Sequence, residues 1–328
     1  MLLHPQNGYK MQKRIVVLGG VGFIGSHLCR RLAEEGHELF CIDLRDITNA
    51  PVLRSIRPLG NFHYIHHNII NPFGIRCDEL YNLAAPSMVH YTKPLAVESL
   101  KLHMSGSIHA LDTARNEHAR ILYASLGSLD TISSLDSFDQ PIDDSLYEGK
   151  RAAEALHRAY HNEFGVDTRI ARIYNTYGGR AELMDQRVVM KMVVAALQNR
   201  EIVIEGSGDQ VRSFCYVDDM VEGLIRLMAA PPSHTTRIVA LGGSQEISIR
   251  GLAERIVALS GSRSKIVHTE GRTCEKMRCV ADLRAAHNEL DWQPTTSLDE
   301  GLKLTIEAVA EELGQRSSSY ITWVEMNN

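Results

Sequence analysis

Along the chain, short apolar runs alternate with longer segments whose apolar residues recur at helical spacing. "KRIVVLGG" (13–20) is an uninterrupted apolar run that opens onto glycines, the pattern of a buried strand. "FIGSHLCRRLAEEGH" (23–37) follows, with apolar residues three and four apart and a glycine stop, and predicts a helix. "ELFCIDL" (38–44) is a second strand. Strand, helix and strand in that order predict a βαβ unit and so a parallel sheet. The alternation continues with strands at "ELYNLAA" (79–85), "ARILYAS" (119–125) and "DTRIARIYNTYG" (167–178), and long helices over 95–117 and 147–165. A helix over 187–199 comes next. "REIVIEGSGDQVRSFCYVDDMVEGLIRLM" (200–228) then reads as a short strand, a glycine turn, a second strand and a helix. Later helices lie at "LAERIVALSG" (252–261) and "LDEGLKLTIEAVAEEL" (298–313), and residues 262–300 are thinner in periodicity.

The expected fold is α/β, a parallel sheet covered by helices, with a loose tail over 1–12. With 328 residues and 44% hydrophobic content, the chain is long enough for one such domain and a lobe.

Charge and cysteines narrow the setting. A net charge of -5 points to neither nucleic acid nor an anionic membrane. The six cysteines are scattered with no CxxC pair, which reads as a reducing, cytoplasmic environment. No run of 18 apolar residues exists, so no membrane span is expected. "HYIHH" (63–67) reads as a strand and its end rather than a metal site, and no metal is expected.

Chemistry first enters at "GGVGFIG". Gly19, Gly22 and Gly25 stand between a predicted strand and helix, with Asp43 at the end of the next strand. Glycines there let the chain turn tightly and let a pyrophosphate approach the backbone. The helix N-terminus offers free N–H groups and the positive end of its dipole. Asp43 is placed to accept from a ribose 2′-hydroxyl and would repel a 2′-phosphate, which favours NAD. Arg45, two residues on, keeps NADP open.

Together, "GGVGFIGSHL", "YNLAAP", "YEGKRAAEAL", "RIARIYNTYGGR", "RVVMKMVVAAL" and "IEGSGDQVRSFCYVDDMVEGL" resemble the extended short-chain dehydrogenase/reductase family. Within it they are similar to nucleotide-sugar epimerases and dehydratases and, most of all, to UDP-glucuronate decarboxylases. The resemblance runs from about residue 13 to residue 315. It implies a Rossmann doubly wound domain over 13–178 that holds NAD, with a returning segment near 212–240, and a smaller C-terminal lobe, 179–211 and 241–320, for a nucleotide diphosphate sugar, a UDP-sugar above all. Separately, the length of the helices over 95–117 and 147–165 suits pairing across a homodimer axis. By position, Gly19, Gly22, Phe23, Ile24, Gly25 and Asp43 match the cofactor loop and ribose acid. Asn68 stands where an Asp often holds the adenine. Leu83, Ala84 and Ala85 match the strand end that passes the cofactor. Lys150 matches the lysine on the nicotinamide ribose, and Tyr174 lies at the strand end that meets the cofactor. Asn175, Arg212 and Arg278 match residues on the sugar nucleotide, and guanidinium forks suit a pyrophosphate.

The catalytic positions depart from the family. Its fifth strand ends in Ser-Thr-x-Glu or a close variant, whereas here "ILYASLGSLD" puts Ser125 on the serine, Leu126 on the Thr and Ser128 on the Glu. At the helix, Leu146 falls on the catalytic Tyr, and His103 replaces a usual Asn. Leucine has no proton to transfer. Tyr147 stands one residue late, a rotation of about 100° on a helix. The segment between Ser128 and Leu146 is shorter than the family's loop over the sugar. Ser125, Ser128, Tyr147 and Tyr174 remain as substitute proton carriers beside Lys150, although strand alternation turns Ser125 and Tyr123 away from Leu126. Three readings stay open: an atypical NAD-dependent nucleotide-sugar-modifying enzyme, a catalytically silent relative that senses these ligands or partners an active subunit, and a structural subunit with no ligand.

Overall fold

The computed structural model of the chain describes residues 11–86, 96–130, 144–179, 187–270 and 277–326. Most of the expected tail therefore lies outside the described residues. In chain order the elements are β1 (Arg14–Leu18), α1 (Phe23–Glu34), β2 (Glu38–Asp43), β3 (Phe62–His66), β4 (Glu79–Asn82), α2 (Ala96–Lys101), α3 (Ser107–Asn116), β5 (Arg120–Leu126), α4 (Asp144–Phe164), β6 (Thr168–Ile173) and β7 (Thr176–Tyr177). After these come α5 (Val188–Leu197), β8 (Ile202–Glu205), β9 (Val211–Ser213), β10 (Cys215–Tyr216), α6 (Val217–Ala229) and β11 (Arg237–Leu241). The chain closes with β12 (Glu246–Ser248), α7 (Ile249–Ser260), β13 (Ile266–Thr269), β14 (Arg278–Cys279), α8 (Arg284–Leu290) and α9 (Leu298–Met326).

Seven strands form the main sheet in the order β11-β6-β5-β4-β1-β2-β3. Every pairing in it is parallel. The order reverses between β1 and β4, the switch point where doubly wound sheets open a crevice. Helices cover both faces, which explains why β1 is apolar throughout. Ile15 and Val17 pack with α1 and α6 on one side, and Val16 and Leu18 pack with α3 on the other. A separate core joins α5, α7, β8 and α9 as the lobe.

Three departures from the expected elements have local causes. The strand expected over 79–85 stops at Asn82, whose side-chain oxygen accepts the Ala84 N–H at 3.3 Å and bends the chain. The strand expected over 167–178 breaks at Tyr174 and Asn175, and its second piece, β7, leaves the main sheet to pair with β10. The helix expected over 95–117 carries one π turn, Leu102–Gly106, between α2 and α3. Ala286, Leu290 and Trp292 pack with the core of β1, α1 and α6, where Trp292 lies against Gly223 of α6.

Candidate functional site

The glycine turn is shaped by close approach. Gly19 has φ +77°, and a Cβ on it would lie 2.8 Å from the Ala84 backbone. Only glycine tolerates both conditions. Gly25 is equally confined, since a Cβ would stand 2.2 Å from the Gly19 carbonyl oxygen. The α1 N-terminus therefore sits directly on the turn, with its first N–H groups aimed outward. Leu83 and Ala84 run alongside, and the Leu83 N–H donates to Leu18 at 2.9 Å. Ala85 is exposed beyond them, and Ile24 packs on the core.

Asp43 closes the cradle. Its two carboxylate oxygens accept from the backbone N–H groups of Val21 and Arg45, each at 2.9 Å. Burial pushes its carboxyl pKa up, opposed by those two hydrogen bonds and by the Arg45 charge. Tyr64 and His66 on β3 clamp the following turn by bonding the Arg45 and Leu44 carbonyls. Asn68 turns its side-chain oxygen onto the Ile70 N–H. The lone pairs left on Asp43 and the glycine turn together fit a dinucleotide: a tight phosphate seat at a helix start, with a carboxylate one strand away.

Lys150 lies behind the β5 end and is 3% exposed. Its Nζ donates to the Ala124 carbonyl at 2.6 Å. Burial pushes its pKa down to about 7, against the pull of Glu154 one turn along α4. Ser125 is turned into the same helix and donates to Glu154 Oε1 at 2.7 Å. Arg172 grips Glu154 with Nε at 2.9 Å and Nη2 at 2.7 Å. Burial raises the Glu154 pKa, but the hydrogen bonds from Arg172 and Ser125 outweigh it and hold the carboxylate below its ordinary range. Ser125 is thus corrected from a candidate proton carrier to part of a buried clamp. The register continues through Ser125↔Arg172 and Leu126↔Ile173 without a bulge, so its side chain cannot reach the strand mouth.

The α4 stripe that faces the sheet comprises Gly149, Lys150, Ala153, Glu154 and His157, all buried. Leu146 lies four residues before Lys150, on that stripe. Tyr147 lies about 100° round from Leu146 and makes no hydrogen bond among the described residues. Ser128 stands on the short 3₁₀ turn Gly127–Asp130, half-buried at the β5 end. Tyr174 is buried, its ring against Gly127, where a Cβ would meet it at 2.2 Å.

A cavity of about 110 Å³ opens beside the glycine turn, lined in part by Phe23, Asn175, Tyr177, Arg187 and Phe214. Asn175 is exposed there, placed by the break between β6 and β7. The Arg187 guanidinium stands 3.9 Å from the Phe23 ring centroid, bridging the cofactor loop and the start of α5. Arg187 was not singled out by sequence, because "GGRAELMDQRV" carries no spacing that marks it. Arg212 on β9 has Cys279 and Ile247 as register neighbours. Arg278 pairs with Val211 instead, so the two arginines point to opposite faces of this small sheet. Arg278 forks onto Glu246 at 3.0 and 2.5 Å and is mostly exposed.

The model of the NAD dependent epimerase/dehydratase family matches residues 15–242. The chain belongs to that family. UDP-glucuronic acid decarboxylase 1 of Xenopus tropicalis is 34% identical over 330 residues, covering 95% of this chain and 76% of the relative. UDP-glucuronic acid decarboxylase 6 of Arabidopsis thaliana is 32% identical, covering 93% and 91%. Among solved structures, UDP-glucose 4-epimerase of Thermotoga maritima with UDP-glucose superposes at TM-score 0.79 and 23% identity, over 92% of this chain and 99% of that one. UDP-glucuronic acid 4-epimerase of Bacillus cereus, with UDP-glucuronic acid and NAD, does so at TM-score 0.78 and 24% identity, over 91% and 99%. At those identities the structural likeness speaks for the fold. This family of nucleotide-sugar epimerases, dehydratases and decarboxylases is NAD dependent, and its matched relatives are named enzymes.

Proposed function

We propose that this chain binds NAD at the glycine turn and a UDP-sugar beside Asn175, and lacks the Tyr–Lys proton route. The observation that carries this reading is the head of α4. Leu146 takes the place above Lys150, Tyr147 is rotated away, and the Ser125 hydroxyl is spent on Glu154. NAD, when bound, supplies a hydride acceptor and donor. The chain's own residues do the holding. The α1 N-terminus and its glycines seat the pyrophosphate, Asp43 accepts from the adenine ribose, and Lys150 donates to the nicotinamide ribose. Asn175, Arg187 and Arg212 take the sugar diphosphate. The carboxylate of Asp43 disfavours a 2′-phosphate, so NADP is the poorer cofactor. The decarboxylase relatives favour a UDP-linked sugar. The same reading includes a cytoplasmic homodimer through α2 and α4, where Val97 and Leu100 are exposed. Light scattering on the purified protein reads its mass.

A second reading is an atypical enzyme. It is favoured by Lys150, whose pKa near 7 leaves part of the amine neutral at neutral pH. Ser128 and Tyr174 stand at the same strand end. Calorimetry with NAD and UDP, joined to a mass-spectrometric turnover screen, separates the two. The screen offers UDP-glucuronate, UDP-glucose, UDP-N-acetylglucosamine and dTDP-glucose with NAD. Binding of NAD and UDP with every sugar unchanged is expected. Loss of carbon dioxide or water, or an epimer, would establish the atypical route. Failure to bind either ligand would overturn the proposal as a whole.

A further inference from the structure

A buried polar cluster behind Lys150 has no part in holding the ligands as described above. Lys150 Nζ stands 4.7 Å from the Tyr123 ring centroid. His157 stacks on the same ring, centroids 4.7 Å apart at 28°. Lys150 and His157 are seven residues apart on α4, about two turns along the same helix face, so both reach the one ring. The Tyr123 hydroxyl meets His103 Nδ1 at 3.3 Å. His103 sits in the π turn between α2 and α3, and such turns gather at functional sites. Gly149 packs so tightly on His103 that a Cβ would lie 2.9 Å from the ring.

This arrangement is costly to keep. His103 and His157 are both buried, and Nε2 of each lacks a hydrogen-bond partner among the described residues. Unsatisfied buried nitrogens lower stability, so packing alone would favour leucine at either place. Among the described residues, the groups facing the Lys150 amine are Glu154 and His157 from its own helix, Tyr123 and the Ala124 carbonyl from β5, and His103 from the π turn. Burial keeps both imidazoles neutral. The negative face of the Tyr123 ring is then what β5 offers an ammonium beyond one carbonyl.

We propose that Tyr123 is a positioning residue for Lys150, with His157 backing its ring and His103 tethering its hydroxyl, so that the amine stays fixed without a catalytic tyrosine beside it. The inference rests on Lys150 being the ribose-binding lysine of the proposed function. NMR of lysine-labelled, ligand-free protein reads the Lys150 titration directly, with Lys150→Arg assigning its signal. Tyr123→Leu is expected to lower the titration midpoint by about one pH unit, a tenfold loss of proton affinity. Tyr123→Phe keeps the ring and should recover most of that shift. The NAD affinity of Tyr123→Leu at neutral pH should fall about tenfold, in step with the lost order at the amine. A folded Tyr123→Leu with an unmoved midpoint, or a Tyr123→Phe that shifts as far, would overturn the proposal. If Tyr123→Leu does not fold, His157→Leu takes its place, with a smaller drop expected and an unmoved midpoint again decisive against it. Wild-type protein that binds no NAD sinks the proposed function, while the ligand-free titration still judges the role of Tyr123.

Discussion

At Lys150 two effects oppose each other. Burial drives the amine toward neutrality, and Glu154 pulls it back toward the cation, leaving the pKa near 7 against an ordinary 10.5. The folded state then binds fewer protons than the unfolded chain between those values, so this residue's contribution to stability rises as pH climbs from about 7 to 10.5. Below pH 7 its full burial cost remains. Lys150→Met should therefore raise stability at pH 7 by roughly 1–3 kcal/mol in urea unfolding, while weakening NAD binding at least tenfold. The imidazoles act on the acid side. His157 is held at about 4 and His103 at about 2 by burial, with the Lys150 charge adding to the effect. Unfolding takes up a proton at each between its folded value and 6.5. Stability should fall below pH 6.5 with a slope of about 1.4 kcal/mol per pH unit for each histidine. Urea melts from pH 4.5 to 7.5, with and without His157→Leu, check the slope. Leu126 and Leu146 pose a different question. If these two positions are what separates this chain from its relatives, Leu126→Thr with Leu146→Tyr should raise the turnover of UDP-glucuronate, read by carbon dioxide release. A pocket of altered shape would leave the double variant silent.

Among elements, the clamp of Ser125, Glu154 and Arg172 joins β5, α4 and β6. It fixes how α4 lies on the sheet, and with it the depth of Lys150. Glu154→Ala would leave Arg172 half-buried without its carboxylate and should cost roughly 3–5 kcal/mol. Ser125→Ala removes one hydrogen bond and should cost roughly 1–2 kcal/mol. Both are measured by denaturant unfolding, and a small loss for Glu154→Ala would show that packing alone seats the helix. The short π turn belongs to the same scale. Periodicity predicts the helix around it but not the extra residue, because one residue of slip leaves the apolar spacing readable.

For the whole molecule, one tie between Rossmann core and lobe runs through Asp219 at the start of α6. Its carboxylate accepts the Thr295 N–H at 3.2 Å, the Thr295 hydroxyl at 2.8 Å and the Thr296 N–H at 2.9 Å. Its own carbonyl accepts Trp292 Nε1 at 3.2 Å. These bonds hold the stretch that leads into α9, which packs in the lobe core. Asp219→Ala should cost about 3 kcal/mol. It should also widen the thermal transition as the two cores begin to melt apart, which calorimetry resolves. The cleft beside Asn175 depends on this tie, because its walls come from both sides.

The sequence by itself determined the sheet, its winding and the cofactor cradle, because these rest on local rules. Apolar runs mark strands buried on both faces, and a glycine triplet between strand and helix marks a phosphate turn. It also raised the expectation, from the family resemblance, that Leu126 and Leu146 stand where relatives carry proton-transferring groups. Only the tertiary structure decided where the remaining polar groups point. Ser125 and Tyr123 share a strand with Leu126 but face α4, and whether a bulge would turn them back depends on pairing with β6. Only the β9–β14 register shows that Arg278 and Arg212 lie on opposite faces of their small sheet. Arg187 and His103 gain meaning only from Phe23 and Tyr123, which lie far from them in the chain. Such meetings depend on long-range pairing and burial, for which no short stretch of sequence carries a period.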